Sequence, residues 1–178
     1  MSKFETSRLI CQSLSLADYE SFENGIEPKW NGFTNPYKHL IEGPNPLPHR
    51  IPRVKANPAY AEIGIVIAIL KDSKEIIGSA GFHDFPNENG MIEIGFGIVP
   101  EHQNQGLGKE LLFGMWKLIS SYPGVKTLRY TVSPDNAPSI HIIESLDFQK
   151  VGEQMDEEDG LELIYEMPLS EYLERNKI

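Results

Sequence analysis

The chain has 178 residues, of which 40% are hydrophobic and 24% charged, with a formal net charge of −10 at pH 7. This length fits a single domain, residues 1–178, with its own core. The acidic charge argues against nucleic-acid binding, which needs a basic face, and the longest apolar run, 63–70, is too short to cross a membrane. The only cysteine, Cys11, excludes an internal disulfide and a thiolate zinc site. The N-terminus lacks the apolar run of a signal peptide, so we expect a cytoplasmic location.

Apolar–polar alternation predicts the strands, and helical spacing of apolar residues predicts the helices. In chain order the predicted elements are a strand over 7–14, a helix from Ser15 that stops at Gly25, strands over 60–70, 75–84 and 91–99, a helix over 105–120, a strand over 126–133, a helix over 137–146, strands over 148–155 and 161–169, and a short helix over 170–176. Asn89-Gly90 suits a type I′ hairpin, and an acidic turn joins the last two strands. This order predicts an α+β (mixed α/β) fold.

Residues 26–60 form a proline-rich insert that contains more than half of the chain's thirteen prolines. Proline removes a donor and fixes φ, so we expect loops with one or two short helices, 37–41 being one candidate. Long irregular segments in compact domains are usually functional or disordered, and we expect this one to line an acceptor site. Its basic residues suit an adenosine phosphate, an acidic substrate or solvent, and its Glu42 equally suits an amine; the basic residues are Arg50, Arg53 and Lys55.

The stretch VPEHQNQGLGKELLFGMW, 99–116, places two glycines directly before an amphipathic helix. The first N–H groups of a helix are unpaired and carry the positive end of its dipole, so this stretch predicts an anion site. The glycines would let a phosphate approach those groups. A Walker A loop is excluded because Glu110 follows Lys109 where Ser or Thr is required, and a dinucleotide fingerprint because Leu111 replaces its third glycine.

Two motifs of this chain fit one family. Gln103-x-x-Gly106-x-Gly108, after an antiparallel strand, resembles the pyrophosphate-binding loop of the GNAT family, the Gcn5-related N-acetyltransferases. The stretch NAPSIHIIESLDF, 136–148, resembles the family's second signature, although Asp147 replaces its usual glycine. The N-terminal SRLICQSLSLADYESF resembles the branch of the ribosomal-protein N-terminal acetyltransferases. The resemblance covers roughly 6–24 and 60–168 but not the proline-rich insert.

The resemblance implies a central, mostly antiparallel, twisted sheet with a splayed pair of parallel strands and helices on both faces. It implies acetyl transfer from acetyl-coenzyme A to a primary amine, on a small molecule or a protein N-terminus, by direct attack in a ternary complex. Ile98 and Val99 would pair with the pantetheine arm as another strand would, and Asn136 would contact that arm or cap its helix. The pyrophosphate would lie on the N–H groups of Gln103, Asn104, Gln105, Gly106, Leu107, Gly108 and Lys109.

The chemistry implied by the resemblance needs a base for the amine and a proton for the leaving thiolate. We predict Glu93 as the base, because it shares a strand face with Gly95 and Gly97 and lies where several family members carry a glutamate. The position of the family's usual tyrosine acid holds Ile143. Ser139, the substitute in the ribosomal-protein branch, is our choice of acid; His83 and Tyr130 are weaker alternatives, and His141 is expected to be structural or exposed.

Two other functions remain open from the residues. Ile143 at the usual tyrosine position also fits a non-catalytic acyl-coenzyme A-binding module, and the same glycine loop also fits a nucleotide-binding protein, though the failed Walker pattern argues against it. We predict no metal site, no nucleic-acid or membrane partner, an amine acceptor, and a monomer or homodimer.

Overall fold

One eight-stranded sheet forms the centre of the protein, in a computed structural model that describes residues 2–156 and 160–177. The spatial order of its strands is β1-β2-β3-β4-β5-β6-β8-β7. All neighbouring strands are antiparallel except β5 and β6, which are parallel. The strands are β1 (Lys3–Glu5), β2 (Leu9–Ser13), β3 (Val66–Leu70), β4 (Ile76–Phe82), β5 (Met91–Ile98), β6 (Thr127–Val132), β7 (Gln149–Asp156) and β8 (Gly160–Pro168).

Helices cover both faces of this sheet. They are α1 (Leu16–Glu23), α2 (Leu47–Ala56), α3 (Ala61–Gly64), α4 (Leu107–Ile119), α5 (Ala137–Glu144) and α6 (Leu169–Asn176). Trp116 of α4 packs against the ring of Phe82 on β4, with the ring centroids 5.8 Å apart. The next residue, Gly81, would direct a side chain to the opposite face of the sheet, and the backbone of α3 lies against that side of it at Gly64. The predicted mixed α+β fold is confirmed.

The longest helix, α4, forms where the predicted apolar spacing placed it. Its apolar stripe is buried in the core, and its exposed residues lie on the other side. A fully buried Leu or Met side chain contributes about 1.5–3 kcal/mol by removal of apolar surface from water. Burial of this stripe therefore holds the glycine loop, at the N-terminus of α4, against β5. The stripe consists of Leu107, Leu111, Leu112, Met115, Trp116 and Ile119.

Two predicted strands are shorter than expected, and one strand was missed. The strand predicted over 60–70 begins at Val66, because Asn57 caps a 3₁₀ turn that continues directly into α3. The strand predicted over 7–14 spans only β2, and β1 precedes it as a short edge strand. The acidic turn predicted at 156–160 lies mostly outside the described residues.

The proline-rich insert contains a helix, but not over 37–41. Lys38 and Leu40 have positive φ, which breaks a helix there, and the Asn35 side chain instead closes a turn with His39. The helix is α2, where Pro48 lies in the first turn, which needs no N–H partner, and Pro52 removes only a single hydrogen bond.

The turn between β4 and β5 also differs from the prediction. Gly90 has φ of +80°, but Asn89 does not have the positive φ that a type I′ turn requires. The N–H of Gly90 donates to the carbonyl of Asn87, whose side chain accepts from the N–H groups of Asn89 and Met91. The asparagine at 87 thus organises this turn.

Within residues 2–156 and 160–177, no helix is long and apolar enough to cross a bilayer.

The close approach of α3 to β4 gives a stability prediction. A methyl group built on Gly81 overlaps the carbonyl oxygen of Gly64, whereas one built on Gly97 meets nothing within 4 Å. We expect Gly81→Ala to destabilise the protein by about 1–3 kcal/mol or more, because backbone must move. Gly97→Ala is the matched control and should be neutral or slightly stabilising. Urea unfolding of both variants checks this, and equal midpoints would contradict it.

Candidate active site

A gap opens in the middle of the sheet between β5 and β6. The two strands pair from Met91↔Thr127 only as far as Ile94↔Tyr130. Beyond this point β5 continues along β4, and β6 continues along β8. The predicted splayed pair of parallel strands is therefore present, and its opening begins one residue after Ile94.

Main-chain groups of β5 face this gap. The N–H of Val99 donates to the carbonyl of Ile77, and its own carbonyl accepts from the N–H of His102. Because the hydrogen-bonding direction alternates along a strand, the main-chain groups of Phe96 and Ile98 point away from β4 and into the gap. Val99 thus already has partners for both groups, and the carbonyl of Ile98 accepts from the side chain of Gln103. The N–H of Ile98 and both main-chain groups of Phe96 are therefore the ones that an extended ligand can reach.

The N-terminus of α4 lies beside the end of β5. Gly106 is the N-cap and has φ of +75°, a conformation that favours glycine. The first intrahelical bond runs from the N–H of Glu110 to the carbonyl of Gly106. The N–H groups of 107–109 are therefore the free first-turn donors, as expected for an anion site.

Gly108 has a packing reason to lack a side chain. A Cβ built there lies 2.9 Å from Cε2 of Phe96, so only glycine lets α4 pack this closely on β5. Near Gly106, by contrast, a Cβ would meet the guanidinium of Arg8 at 3.6 Å and nothing else within 4 Å among the described residues. The two glycines of the motif therefore have different roles: Gly108 allows close packing on β5, and Gly106 leaves space at the helix start.

Arg8 supports the loop from the first strand pair, a role that sequence reasoning missed. Its Nη1 donates to the carbonyl of Gln105 at 2.9 Å, and its Nε donates to Glu110 at 2.7 Å. Burial acts to raise the pKa of Glu110, but hydrogen bonds from Thr6 and Arg8 outweigh it and lower that pKa. The motif itself carries no signal for Arg8, which lies about a hundred residues earlier in the sequence.

The side chains of the predicted loop residues make contacts within the protein. Nε2 of Gln103 donates to the carbonyl of Ile98 at 2.8 Å, which ties the loop to the end of β5. Nζ of Lys109 donates to Ser145 just after α5. Asn104 has φ of +58° and so adopts a left-handed conformation in the same loop. These side chains shape the loop. The N–H of Gln103, predicted to hold the pyrophosphate, instead donates to the carbonyl of Pro100 at 3.3 Å, so the N–H groups of 107–109 are the donors expected to meet a ligand.

Glu93 lies where the gap begins, on the face opposite to α4. Its Oε1 accepts from Oγ1 of Thr131 at 2.6 Å and lies 3.4 Å from Nδ1 of His83. The glutamate side chain is only 17% exposed. The His83 ring covers Gly95, since its Nε2 lies 3.0 Å from a Cβ built there, while nothing occupies the space over Gly97. The face of Glu93, Gly95 and Gly97 predicted from alternation is therefore a partly open surface beside the gap.

Ser139 lies on the other face of the sheet, at the start of α5. The side chain of Asn136 accepts from the N–H of Ser139, so the capping role considered for Asn136 is observed. Burial raises the pKa of Tyr130, and a hydrogen bond with Ser139 acts in the opposite direction. The Tyr130 ring packs on Phe96, which in turn contacts α4, so Glu93 and Ser139 flank the gap from opposite faces.

The remaining candidates lie away from the gap. Ile143, at the family's usual tyrosine position, is fully buried in the core. His141 is exposed, as expected.

The proline-rich insert covers a cavity of about 240 Å³ on the face of Glu93. The strand side of this cavity is formed by Ser79 and Gly81 of β4 with Gly95 and Gly97 of β5, and His83 lies at its edge. The insert side is formed by His39, Pro44, Asn45, Pro46 and Arg50. Residues of the insert thus form one wall of a partly open cavity beside the gap, as expected if 26–60 lies over a site.

The basic residues of the insert separate into two groups. Arg53 pairs with Asp84, and Lys55 pairs with Glu23, both at the surface. Arg50 instead is buried and lines the cavity. His39 also lines it, with its Nε2 2.8 Å from Oγ of Ser79, and burial lowers the pKa of His39 to about 4.

Comparison with known proteins identifies the family. A family model described as an acetyltransferase (GNAT) domain matches residues 8–149. The chain therefore belongs to the GNAT acetyltransferase family. Among curated proteins, the uncharacterized N-acetyltransferase p20 of Bacillus licheniformis is 33% identical over 84 residues, which make up 47% of this chain and 47% of that protein. The chain spans about half the length of the curated relatives it matches.

Solved structures share the fold over nearly the whole chain. Mutant forms of the spermidine/spermine N-acetyltransferase SpeG from Vibrio cholerae superpose with a TM-score of 0.68 at 17% identity, covering 96% of this chain and 99% of that one. The ribosomal-protein-S5-alanine acetyltransferase from Vibrio fischeri gives a TM-score of 0.68 at 13% identity, covering 97% and 99%. At such identities the likeness establishes the fold alone.

The burial of His39 predicts a pH-dependent stability. Its folded pKa of about 4 lies below the ordinary value of 6.5, so the unfolded chain takes up the proton first as pH falls. The stability that neutral His39 contributes is full above pH 6.5 and is lost as pH falls towards 4, by about 3 kcal/mol at most.

His39→Gln preserves a polar atom near Ser79 and removes the titration. We expect the unfolding free energy of the wild type, minus that of His39→Gln, to fall between pH 6.5 and 4. Urea titrations at several pH values measure this difference, and a difference that stays constant across the range would refute the assignment.

Proposed function

We propose that the protein transfers an acetyl group from acetyl-coenzyme A to a primary amine, by direct attack in a ternary complex. The observation that carries this proposal is the gap between β5 and β6, which has unpaired strand groups on its edge, a helix N-terminus at its end and a cavity on one face. When bound, acetyl-coenzyme A supplies the activated acetyl thioester. In the proposed arrangement the gap separates a thiol side from an amine side.

The residues present fit this ligand. The free N–H groups of 107–109 and the left-handed Gly106 suit a pyrophosphate, with Arg8 and Gln103 holding the loop in place. The main-chain groups of Phe96 and Ile98 suit the amide-containing pantetheine arm, which would add to β5 as a short strand. Binding here would also satisfy backbone groups that the sheet leaves unpaired.

On the amine side, we assign the base to Glu93 together with His83. His83 lines the cavity, and its Nδ1 lies 3.4 Å from Oε1 of Glu93. The proton of the amine would pass to this pair, with Glu93 stabilising the positive charge that develops on the imidazole. Thr131 holds the glutamate in place through a 2.6 Å hydrogen bond.

On the thiol side, we assign Ser139 as the donor to the leaving thiolate. Tyr130 supports this role, because its hydrogen bond with Ser139 orients the serine and burial keeps the phenol protonated. Ile143 is fully buried and offers no proton. This absence is the observation that favours a second candidate, a non-catalytic acyl-coenzyme A-binding module.

The acceptor is a primary amine of a small molecule or of a protein N-terminus. The N-terminal sequence resemblance and the structural likeness to a ribosomal-protein alanine acetyltransferase support the branch that acts on protein N-termini. The cavity of about 240 Å³ beside the gap supports a small molecule. A single domain, a cytoplasmic location, no nucleic-acid or membrane partner, and a monomer or homodimer remain predictions from the sequence.

Ligand binding at the glycine loop is testable by thermal unfolding. A ligand at about 100 times its Kd stabilises by about 2.7 kcal/mol, which for a chain of this size is roughly 5–10 °C. We expect this shift with coenzyme A and acetyl-coenzyme A but not with ATP, and we expect Gly106→Glu to abolish it by filling and charging the anion site.

Gly124→Glu is the matched control for that experiment. Gly124 also has a positive φ and open space around it, and it lies beyond the other end of α4. Its variant should therefore lose similar stability yet keep the shift with coenzyme A. A shift that survives in Gly106→Glu would contradict the site.

The catalytic assignment is testable by turnover with acetyl-coenzyme A and a panel of amines and peptides. We expect Glu93→Gln to lower kcat about 10²–10⁴-fold with partial recovery at higher pH, where more amine is already deprotonated. The thermal shift with coenzyme A should remain. Glu88→Gln, at an exposed position in the turn that leads into β5, is the control and should keep full activity. Turnover that is equal in wild type and Glu93→Gln would exclude the base, and binding without any turnover would favour the non-catalytic module.

A further inference from the structure

Arg50 is a buried cation inside the proposed acceptor cavity. It lies in α2, is only 7% exposed and lines the cavity together with His39, Ser79 and His83. A guanidinium stays charged in proteins, and burying a charge is costly unless the charge is paired. Its position at this cavity therefore needs a physical reason.

The protein gives this cation no anionic partner. Nη1 of Arg50 donates only a long hydrogen bond, 3.4 Å, to the carbonyl of His83, and the guanidinium also contacts the hydroxyl of Tyr60. Its Nε is buried and has no hydrogen-bond partner in the part of the chain that the structure describes. Among residues 2–156 and 160–177, no carboxylate forms an ion pair with it.

Neighbouring basic residues of the same helix behave differently. Arg53 pairs with Asp84, and Lys55 pairs with Glu23, each at the surface where pairing matters least. The buried cation is thus the unpaired one, while the exposed cations are paired. A cation held without a counter-charge at a ligand-sized cavity is typical of a site whose ligand supplies the anion.

The other cavity walls are uncharged or nearly so. Burial lowers the pKa of His39 to about 4, which leaves it neutral near pH 7 and hydrogen-bonded to Ser79. Glycines form the strand side of the cavity, and prolines form part of the insert side. Arg50 is therefore the dominant charge on the insert side of this space, and it acts over contact distance where solvent screening is weak.

We propose that Arg50 selects an acceptor that carries a carboxylate as well as its amine, a small amino acid being the simplest such molecule. This inference rests on the proposed function, because it names the substrate class of the same site. The carboxylate would take the planar fork of Arg50 on the insert side, and the amine would then lie at the strand side, where His83 and Gly97 border the gap. The net charge of −10 favours cations at long range, but that field is screened by salt while the contact in the cavity is not.

The direct test is calorimetry on the protein saturated with coenzyme A. The probes are a panel of N-acetyl-amino acids, each compared with its own carboxamide, which differs only in the anion. We expect at least one carboxylate to bind ten times or more tighter than its amide, and Arg50→Met to remove that preference. Arg53→Met is the matched control from the same helix and should keep it. Carboxylates that bind no better than amides, a preference that survives in Arg50→Met, or a panel in which nothing binds would each overturn the proposal.

Thermal unfolding and acetyl transfer separate this inference from a loss of folding and from the proposed function. Because Arg50 is unpaired, Arg50→Met should unfold at the wild-type temperature or higher. If that variant does not fold, Arg50→Lys replaces it. Lysine keeps the charge but lacks the planar fork of the guanidinium, so we expect the carboxylate to bind more weakly than to the wild type but still more tightly than its amide. Acetyl transfer to amines regardless of a carboxylate would refute this inference and leave the proposed function intact. Carboxylate binding without any acetyl transfer would refute the proposed function and leave the pocket assignment intact.

Discussion

An interruption in strand pairing is the constraint on which the rest of the structure depends. The parallel pairing of β5 with β6 stops at Ile94↔Tyr130, since each strand continues with its other neighbour. Backbone groups left unpaired beyond that point are costly unless water or a ligand satisfies them. The proposed binding of an extended, amide-containing molecule in this gap therefore depends on the backbone itself.

The two faces of the sheet give the two sides of this gap different chemistry. On one face α4 and α5 bring a helix N-terminus and the Ser139–Tyr130 pair, which suit an anion and a leaving group. On the other face the insert covers the glycine-lined cavity, which Arg50 and His83 line, and Glu93 lies 3.4 Å from Nδ1 of that histidine. Gly108 lies at the contact between α4 and the sheet. Because it has no side chain, α4 packs closely on Phe96, and this places the helix N-terminus beside the gap.

The features that could be predicted from the sequence are those that depend on residues close together in the chain. The apolar period of α4, the open helix start at Gly106 and the cap at Asn136 each depend on residues close in sequence, and each was predicted. The helix over 47–56 was not, because its prolines argue against a helix and it is stabilised by packing against α1, α3 and the 3₁₀ turn before α3. The roles of Arg8 and Arg50 depend on partners far away in the chain or on the lack of one, for which a single sequence contains no signal.

The most direct measurement of the central claim is amide hydrogen exchange along β5, with and without coenzyme A. The N–H groups of Phe96 and Ile98 face the gap, while those of Gly97 and Val99 are bonded to β4 and serve as internal references. The account predicts that coenzyme A slows exchange at Phe96 and Ile98 by about tenfold or more, relative to the references. Unchanged exchange at both amides under saturating ligand would contradict the assignment of the gap as the site of the thioester arm.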